Sequence, residues 1–171
     1  MTFPQYYGII YLTKEGRENL EMKRWIFFDM DGTLASLYSV PGWLEMLRAY
    51  DPTPYAEAAV LHNMSILARY LNKVQAAGYG IGIISWLSKC PTPEYDEAVT
   101  TAKLEWLEVH LHSVSWDAIN IVAHGTPKQS FMETADDILF DDEEGNREAW
   151  TGEAHDPSQI LEVLKELLRD A

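Results

Sequence analysis

Trp25-Ile26-Phe27-Phe28-Asp29-Met30-Asp31-Gly32-Thr33-Leu34 decides how the rest of the chain is read. Four apolar and aromatic residues run without a break into an aspartate, the pattern of a strand buried on both faces. Two carboxylates, at Asp29 and Asp31, follow at once. At a separation of about 5 Å and an effective dielectric near 20 they repel by about 3 kcal/mol, so a cation or a shared proton has to offset them. Gly32 permits a tight turn that presents backbone N–H groups to an anion. A calcium loop counted from Asp29 fails, because Leu34 stands where its glycine belongs and Val40 where its closing glutamate belongs.

Working outward, three further apolar runs end in a polar or small residue: Ile81-Gly82-Ile83-Ile84 before Ser85, Ile119-Asn120-Ile121-Val122 before Ala123, and Ile138-Leu139-Phe140 before Asp141. Helix starts are marked by Thr53-Pro54, Thr92-Pro93, Thr126-Pro127 and Asp156-Pro157, each a capping side chain ahead of a proline. Val60, Met64, Leu67, Leu71 and Val74 predict one amphipathic helix, ended by Gly78. Tyr95, Ala98, Val99, Ala102, Trp106 and Val109 predict a second, and Ile160, Leu161, Leu164 and Leu167 a third at the C-terminal end. Apolar strands separated by helices imply an α/β fold with a parallel sheet covered on both sides. Ligands of such sheets gather at the carboxyl ends of the strands, where Asp29, Ser85 and Asp141 are expected.

Taken singly, these residues leave their roles open. Ser85 offers a hydroxyl and following backbone N–H groups to an oxyanion, yet serine after a strand also simply turns the chain. Lys128 falls in the first turn of a helix that Thr126 caps, with Gln129 completing a capping box. A lysine there is either solvated or concentrates positive potential on a bound anion. Asp141-Asp142-Glu143-Glu144 is either a solvated acidic face or, anchored at a strand tip, a cation site.

Composition bounds the rest. A chain of 171 residues fits one domain and buries about 70% of the surface of its unfolded form. With 47% hydrophobic and 23% charged residues it falls in the globular class, and no stretch is apolar for long enough to span a membrane. A formal charge of -14 argues against an extended nucleic-acid surface and means that an anionic substrate needs local positive charge. The N-terminal residues lack the features of a secretory signal, and one cysteine, Cys90, makes no internal disulfide, so a cytoplasmic protein is expected. The five histidines show no metal-ligand spacing. His124 alone, between a strand and Lys128, is placed to reach a crevice rim.

In the order Asp-x-Asp, Ser, Lys, Asp-Asp, the runs DMDGTL, IGIIS, GTPKQ and ILFDDEEGN resemble the four motifs of the haloacid dehalogenase-like (HAD) superfamily, over about residues 24 to 168. The resemblance implies a doubly wound, Rossmann-like parallel sheet with strand order 5-4-1-2-3. One domain would span 1–171, with an N-terminal extension at 1–23 and a minimal cap insert at 35–54 after the first strand. It implies a magnesium-dependent phosphomonoester hydrolase, with Asp29 as nucleophile forming an aspartyl-phosphate and Asp31 as general acid and base. Ser85, Lys128, Met30 and Trp86 would bind the phosphoryl group. Mg2+ would be held by Asp29, the backbone carbonyl of Asp31, and Asp141, with Asp142 either an outer partner or the direct ligand. Asp31 favours a phosphatase or phosphomutase over the dehalogenase and transport-ATPase branches, and the short insert counts against the phosphomutase. A non-catalytic phosphate-binding scaffold of the same fold is the alternative from another class. The small cap and double-Asp motif resemble the nucleotidase-like branch, which ranks a nucleotide monophosphate first among phosphorylated small-molecule substrates. Residues 1–23 either add an edge strand or mediate a homodimer.

Overall fold

A computed structural model describes residues 23–170. The expected N-terminal extension therefore lies, except for Lys23, outside the described residues. In chain order the strands are β1 (Trp25–Phe28), β2 (Ala35–Ser36), β3 (Ala59–Val60), β4 (Gly80–Trp86), β5 (Ala118–Val122), β6 (Ile138–Phe140) and β7 (Glu153–His155). The helices are α1 (Trp43–Arg48), α2 (Thr53–Glu57), α3 (Met64–Ala76), α4 (Pro93–Leu111), α5 (Glu144–Ala149) and α6 (Ile160–Arg169).

β1 is the middle of a parallel five-stranded sheet of order β5-β4-β1-β6-β7. This departs in detail from the expected 5-4-1-2-3, because β2 and β3 form a separate antiparallel ribbon and take two places in the chain-order count. Phe28 stands opposite Ile83 on β4 and Phe140 on β6, so β1 and β6 end level while β4 runs on to Trp86. Asp29 and Asp141 follow the tips of β1 and β6, whereas Ser85, expected after its strand, lies within β4 and pairs with Ile121, because β5 extends the ladder past Ile84.

Alternation along the strands sorts the core onto two faces. Ile26, Phe28, Ile81, Ile83, Ile138 and Phe140 pack with Leu67 and Leu71 of α3 and Ile160 and Leu164 of α6. Phe27 and Leu139 pack on the other face with Ile84 and Trp150. Phe27 lies flat over Gly82, where a Cβ would sit 2.7 Å from the ring, which is why a central strand tolerates glycine here. β5 was expected to be buried on both sides. It is an edge strand with Ile119 exposed, since nothing described pairs beyond it.

Two of the four proline-marked starts hold as caps: Thr92 accepts from the Tyr95 N–H at 3.1 Å, and Asp156 forms a capping box with Gln159. Thr53 instead lies inside α2, and Asp51 accepts from its N–H. Thr126 donates to the Ala123 carbonyl and caps nothing; one 3-10 turn, Lys128–Phe131, replaces the expected helix. The helix expected from Val60 begins at Met64, capped by Asn63, because Val60 is taken by the β2–β3 ribbon. On α4 the apolar stripe runs to Leu107 and Leu111 and leaves Val109 68% exposed.

The insert expected at 35–54 closes only where Ala35 pairs with Val60. It is seated on α4: Trp106 Nε1 donates to the Ala58 carbonyl at 2.7 Å and the Tyr95 hydroxyl to the Asp51 carbonyl at 3.3 Å. Among the described residues no helix is long and apolar enough to cross a membrane.

Burial separates two substitutions that the sequence treats alike. Leu71→Ala should lower the unfolding free energy in urea by about 3 kcal/mol, and Val109→Ala by less than about 0.5 kcal/mol. Equal losses would contradict this packing.

Candidate active site

The turn after β1 is wound about one carbonyl. Met30 O accepts from the N–H groups of Thr33, Leu34 and Ala35, and Gly32 N–H donates to Ala35 O. Gly32 has φ 83°, and a Cβ there would lie 2.2 Å from Asp142 Oδ2. Only glycine lets the turn approach the Asp141-Asp142 loop this closely. Thr33 ties the two together from the other side, its hydroxyl accepting from the Asp142 N–H. The Met30 side chain is buried in the core, so any part it plays toward a ligand falls to its backbone N–H.

Lys128 is buried, not solvated. Its ammonium donates to Asp29 Oδ1 at 2.7 Å and to Asp141 Oδ2 at 2.6 Å. Burial pushes the ammonium down, and the two carboxylates outweigh it and hold it above its ordinary value. Asp29 nevertheless ends high, at about 7: burial raises it most, Lys128 opposes, and Asp141 and Asp31 raise it again. One ammonium is shared between two carboxylates in a site that holds four.

Asp141 is saturated. Both its oxygens accept from Asn146 Nδ2, Oδ2 from Lys128 and Oδ1 from the Glu143 N–H. Arg147 clamps the backbone carbonyls of Asp141 and Asp142, each at 2.8 Å. Asp142 is raised to about 6 by burial and by Asp141. Carboxylate oxygens of Asp29, Asp141 and Asp142 lie within 4.8 Å of one another. Elevated carboxyl groups clustered on oxygen-only ligands suit a hard divalent cation such as Mg2+, which would favour their ionised forms.

Asp31 and Ser85 sit beside Asp29 with a partner that the sequence reading missed. Lys103, on α4 and 1% exposed, donates to Asp31 Oδ2 at 2.6 Å, Ser85 Oγ at 2.7 Å and the Trp86 carbonyl at 2.9 Å. It stands four residues after Val99 and three before Trp106, on the buried stripe of the helix. A lysine on an apolar stripe needs a buried anion, and that spacing was the available signal. Four carboxylates against two ammonium groups leave two negative charges, which one divalent cation offsets.

Trp86 is held at both ends: its indole donates to the Thr126 carbonyl at 2.8 Å, its carbonyl takes Lys103, and its ring lies 5.2 Å from Lys128 Nζ. His124 reaches the rim as expected, edge-on to Trp86 at 4.8 Å, and burial and Lys89 lower it. Above the carboxylates opens a pocket of about 360 Å³ whose wall carries Tyr38, Trp43 and Tyr55 from the insert, with Trp86 opposite. Burial and the carboxylates beneath push Tyr38 and Tyr55 far up, so both keep their hydroxyl protons.

No protein-family model and no curated protein matches the chain. Among solved structures it is similar to the D,D-heptose 1,7-bisphosphate phosphatase of Burkholderia thailandensis, at 14% identity and TM-score 0.52 over 83% of this chain and 99% of that one. It is also similar to the enzyme of the same name from B. bronchiseptica complexed with magnesium and phosphate, at 14% identity and TM-score 0.53 over 86% and 99%. At this identity the likeness is one of fold.

The raised carboxyl groups set the sign of a pH dependence. Asp29 and Asp142 hold protons in the folded chain that the unfolded chain has released. The stability they contribute is full below the unfolded value of 3.8 and is lost as pH rises through about 6 and about 7. Without a divalent cation, the melting temperature by scanning fluorimetry should fall between about pH 4 and about pH 7, and Asp142→Asn should flatten part of the fall. Mg2+ should restore more at the higher pH. A melting temperature indifferent to pH, ion and substitution would contradict the cluster.

Proposed function

We propose that this chain is a magnesium-dependent phosphomonoester hydrolase of the HAD superfamily that works through an aspartyl-phosphate on Asp29. The observation that carries the reading is the pairing of Asp29 with a buried lysine beside two further carboxylates at one sheet edge. A scaffold that merely binds phosphate has no use for four carboxylates, which repel it. The fold shared with phosphatases, one of them complexed with magnesium and phosphate, supports the same reaction class.

Asp29 supplies the oxygen that attacks phosphorus. As the new P–O bond forms, the bond to the leaving oxygen breaks and Asp31 gives that oxygen its proton. Asp31, now a carboxylate, then takes a proton from water, whose oxygen attacks the phosphorus and returns Asp29 free with inorganic phosphate. Lys128 lies where charge on the transferring group develops, with Ser85 and the N–H groups of Met30 and Trp86 as further donors. Mg2+ would be held by Asp29, the Asp31 carbonyl and Asp142, whose carboxylate is freer than that of Asp141, and would neutralise the phosphoryl oxygens and lower their repulsion from the nucleophile.

A small pocket walled by Tyr38, Trp43, Tyr55 and Trp86 suits a phosphate ester carrying a planar group that stacks, and a nucleoside monophosphate fits that description. With Mg2+, the purified protein should release p-nitrophenol from p-nitrophenyl phosphate; Asp29→Asn should lower the rate about a thousandfold or more, and chelation of the metal should abolish it. Activity that survives the substitution would refute the reaction. Across a panel of nucleotides and sugar phosphates, kcat/KM should favour a nucleoside monophosphate at least about tenfold, and Trp43→Ala should erase that preference. A flat panel would refute the substrate class.

A further inference from the structure

We propose that Lys103 is a positioning residue of this site, aiming the Asp31 carboxyl at the leaving oxygen and the Ser85 hydroxyl at the phosphoryl group; this rests on the hydrolase reading. An ammonium has three N–H donors and no acceptor. Asp31 Oδ2, Ser85 Oγ and Trp86 O account for all three.

Two consequences follow from that valence. Ser85 Oγ is an acceptor toward Lys103, so its own hydrogen points elsewhere. Among the described residues the hydroxyl has no other hydrogen-bond partner, although Ser85 is fully buried. A buried O–H with no protein acceptor is free to donate to a ligand oxygen. At Asp31, Lys103 occupies Oδ2 and leaves Oδ1 for proton transfer, on a side chain that still lines the pocket.

The device is held from three sides. Lys103 lies in the interior of α4, the ring of Tyr55 from α2 stands 5.0 Å from its ammonium, and the insert carrying Tyr55 is pinned to the same helix through Trp106 and Tyr95. As a structural tie alone, a buried lysine is a poor choice, because an apolar residue of the same volume often stabilises more. Methionine in its place would fill the space but would aim neither oxygen.

The test compares the wild type, Lys103→Met and Asp31→Asn with Mg2+ on two esters. p-Nitrophenolate leaves without a proton, whereas an alkyl phosphate such as glycerol phosphate needs one. Lys103→Met should lower kcat on the alkyl ester about a hundredfold and on the aryl ester about tenfold or less. In the Asp31→Asn background it should add no further loss selective for the alkyl ester. Inorganic phosphate, titrated by calorimetry with Mg2+ present, should bind Lys103→Met about tenfold more weakly. Should Lys103→Met fail to fold, Lys103→Gln, which keeps a donor without the charge, takes its place. Equal losses on both esters with unchanged phosphate binding would overturn the proposal. Absence of turnover in the wild type would overturn the hydrolase reading instead and leave the phosphate titration to decide the role of Lys103.

Discussion

The ammonium of Lys128, shut away from water between Asp29 and Asp141, is the interaction on which this structure turns. It joins the tip of β1 to the tip of β6 and comes from a turn beyond β5. Removing it would leave two adjacent buried carboxylates with no countercharge, a situation more costly than the absence of the pair altogether. The register of the sheet answers to that constraint. Phe28 and Phe140 end level opposite Ile83, so Asp29 and Asp141 after β1 and β6 meet Ser85 near the end of β4 at one crevice.

A second buried ammonium does the corresponding work one strand away. Lys103 comes from the helix beside the sheet, so Asp31 and Ser85 of β4 are fixed by α4, and α4 in turn carries the insert that walls the pocket. The carboxylate cluster and the pocket wall are thus both tied to one helix. With Lys128 and Lys103 in place, the four carboxylates still outnumber the two ammonium groups, which sets the demand for a divalent cation, and burial, with the neighbouring carboxylates adding to it, raises Asp29 and Asp142.

Much of this was legible in the residues. Uninterrupted apolar runs are the mark of parallel strands, and they put Asp29, Ser85 and Asp141 toward one carboxyl edge. Lys128 was legible as a candidate, but its burial was not: sequence spacing says nothing of the long-range pairing that desolvates it. Lys103 went unread because a single lysine among leucines and valines looks like the solvated side of a helix until the phase of the stripe is counted through Val99 and Trp106. The ribbon at Val60 and the exposure of Val109 have a common cause, tertiary pairing that overrides a local apolar period. The 3-10 turn at Lys128 follows from the same demand, since the chain has to bring that side chain inward within four residues.

The proposed reaction forms a covalent bond between phosphorus and Asp29. Quenching turnover with borohydride reduces an aspartyl-phosphate to homoserine, and peptide mass spectrometry then locates it. This account predicts homoserine at position 29, formed only when substrate and Mg2+ are both present. Phosphate release with an unmodified Asp29, or homoserine at another aspartate, would contradict it.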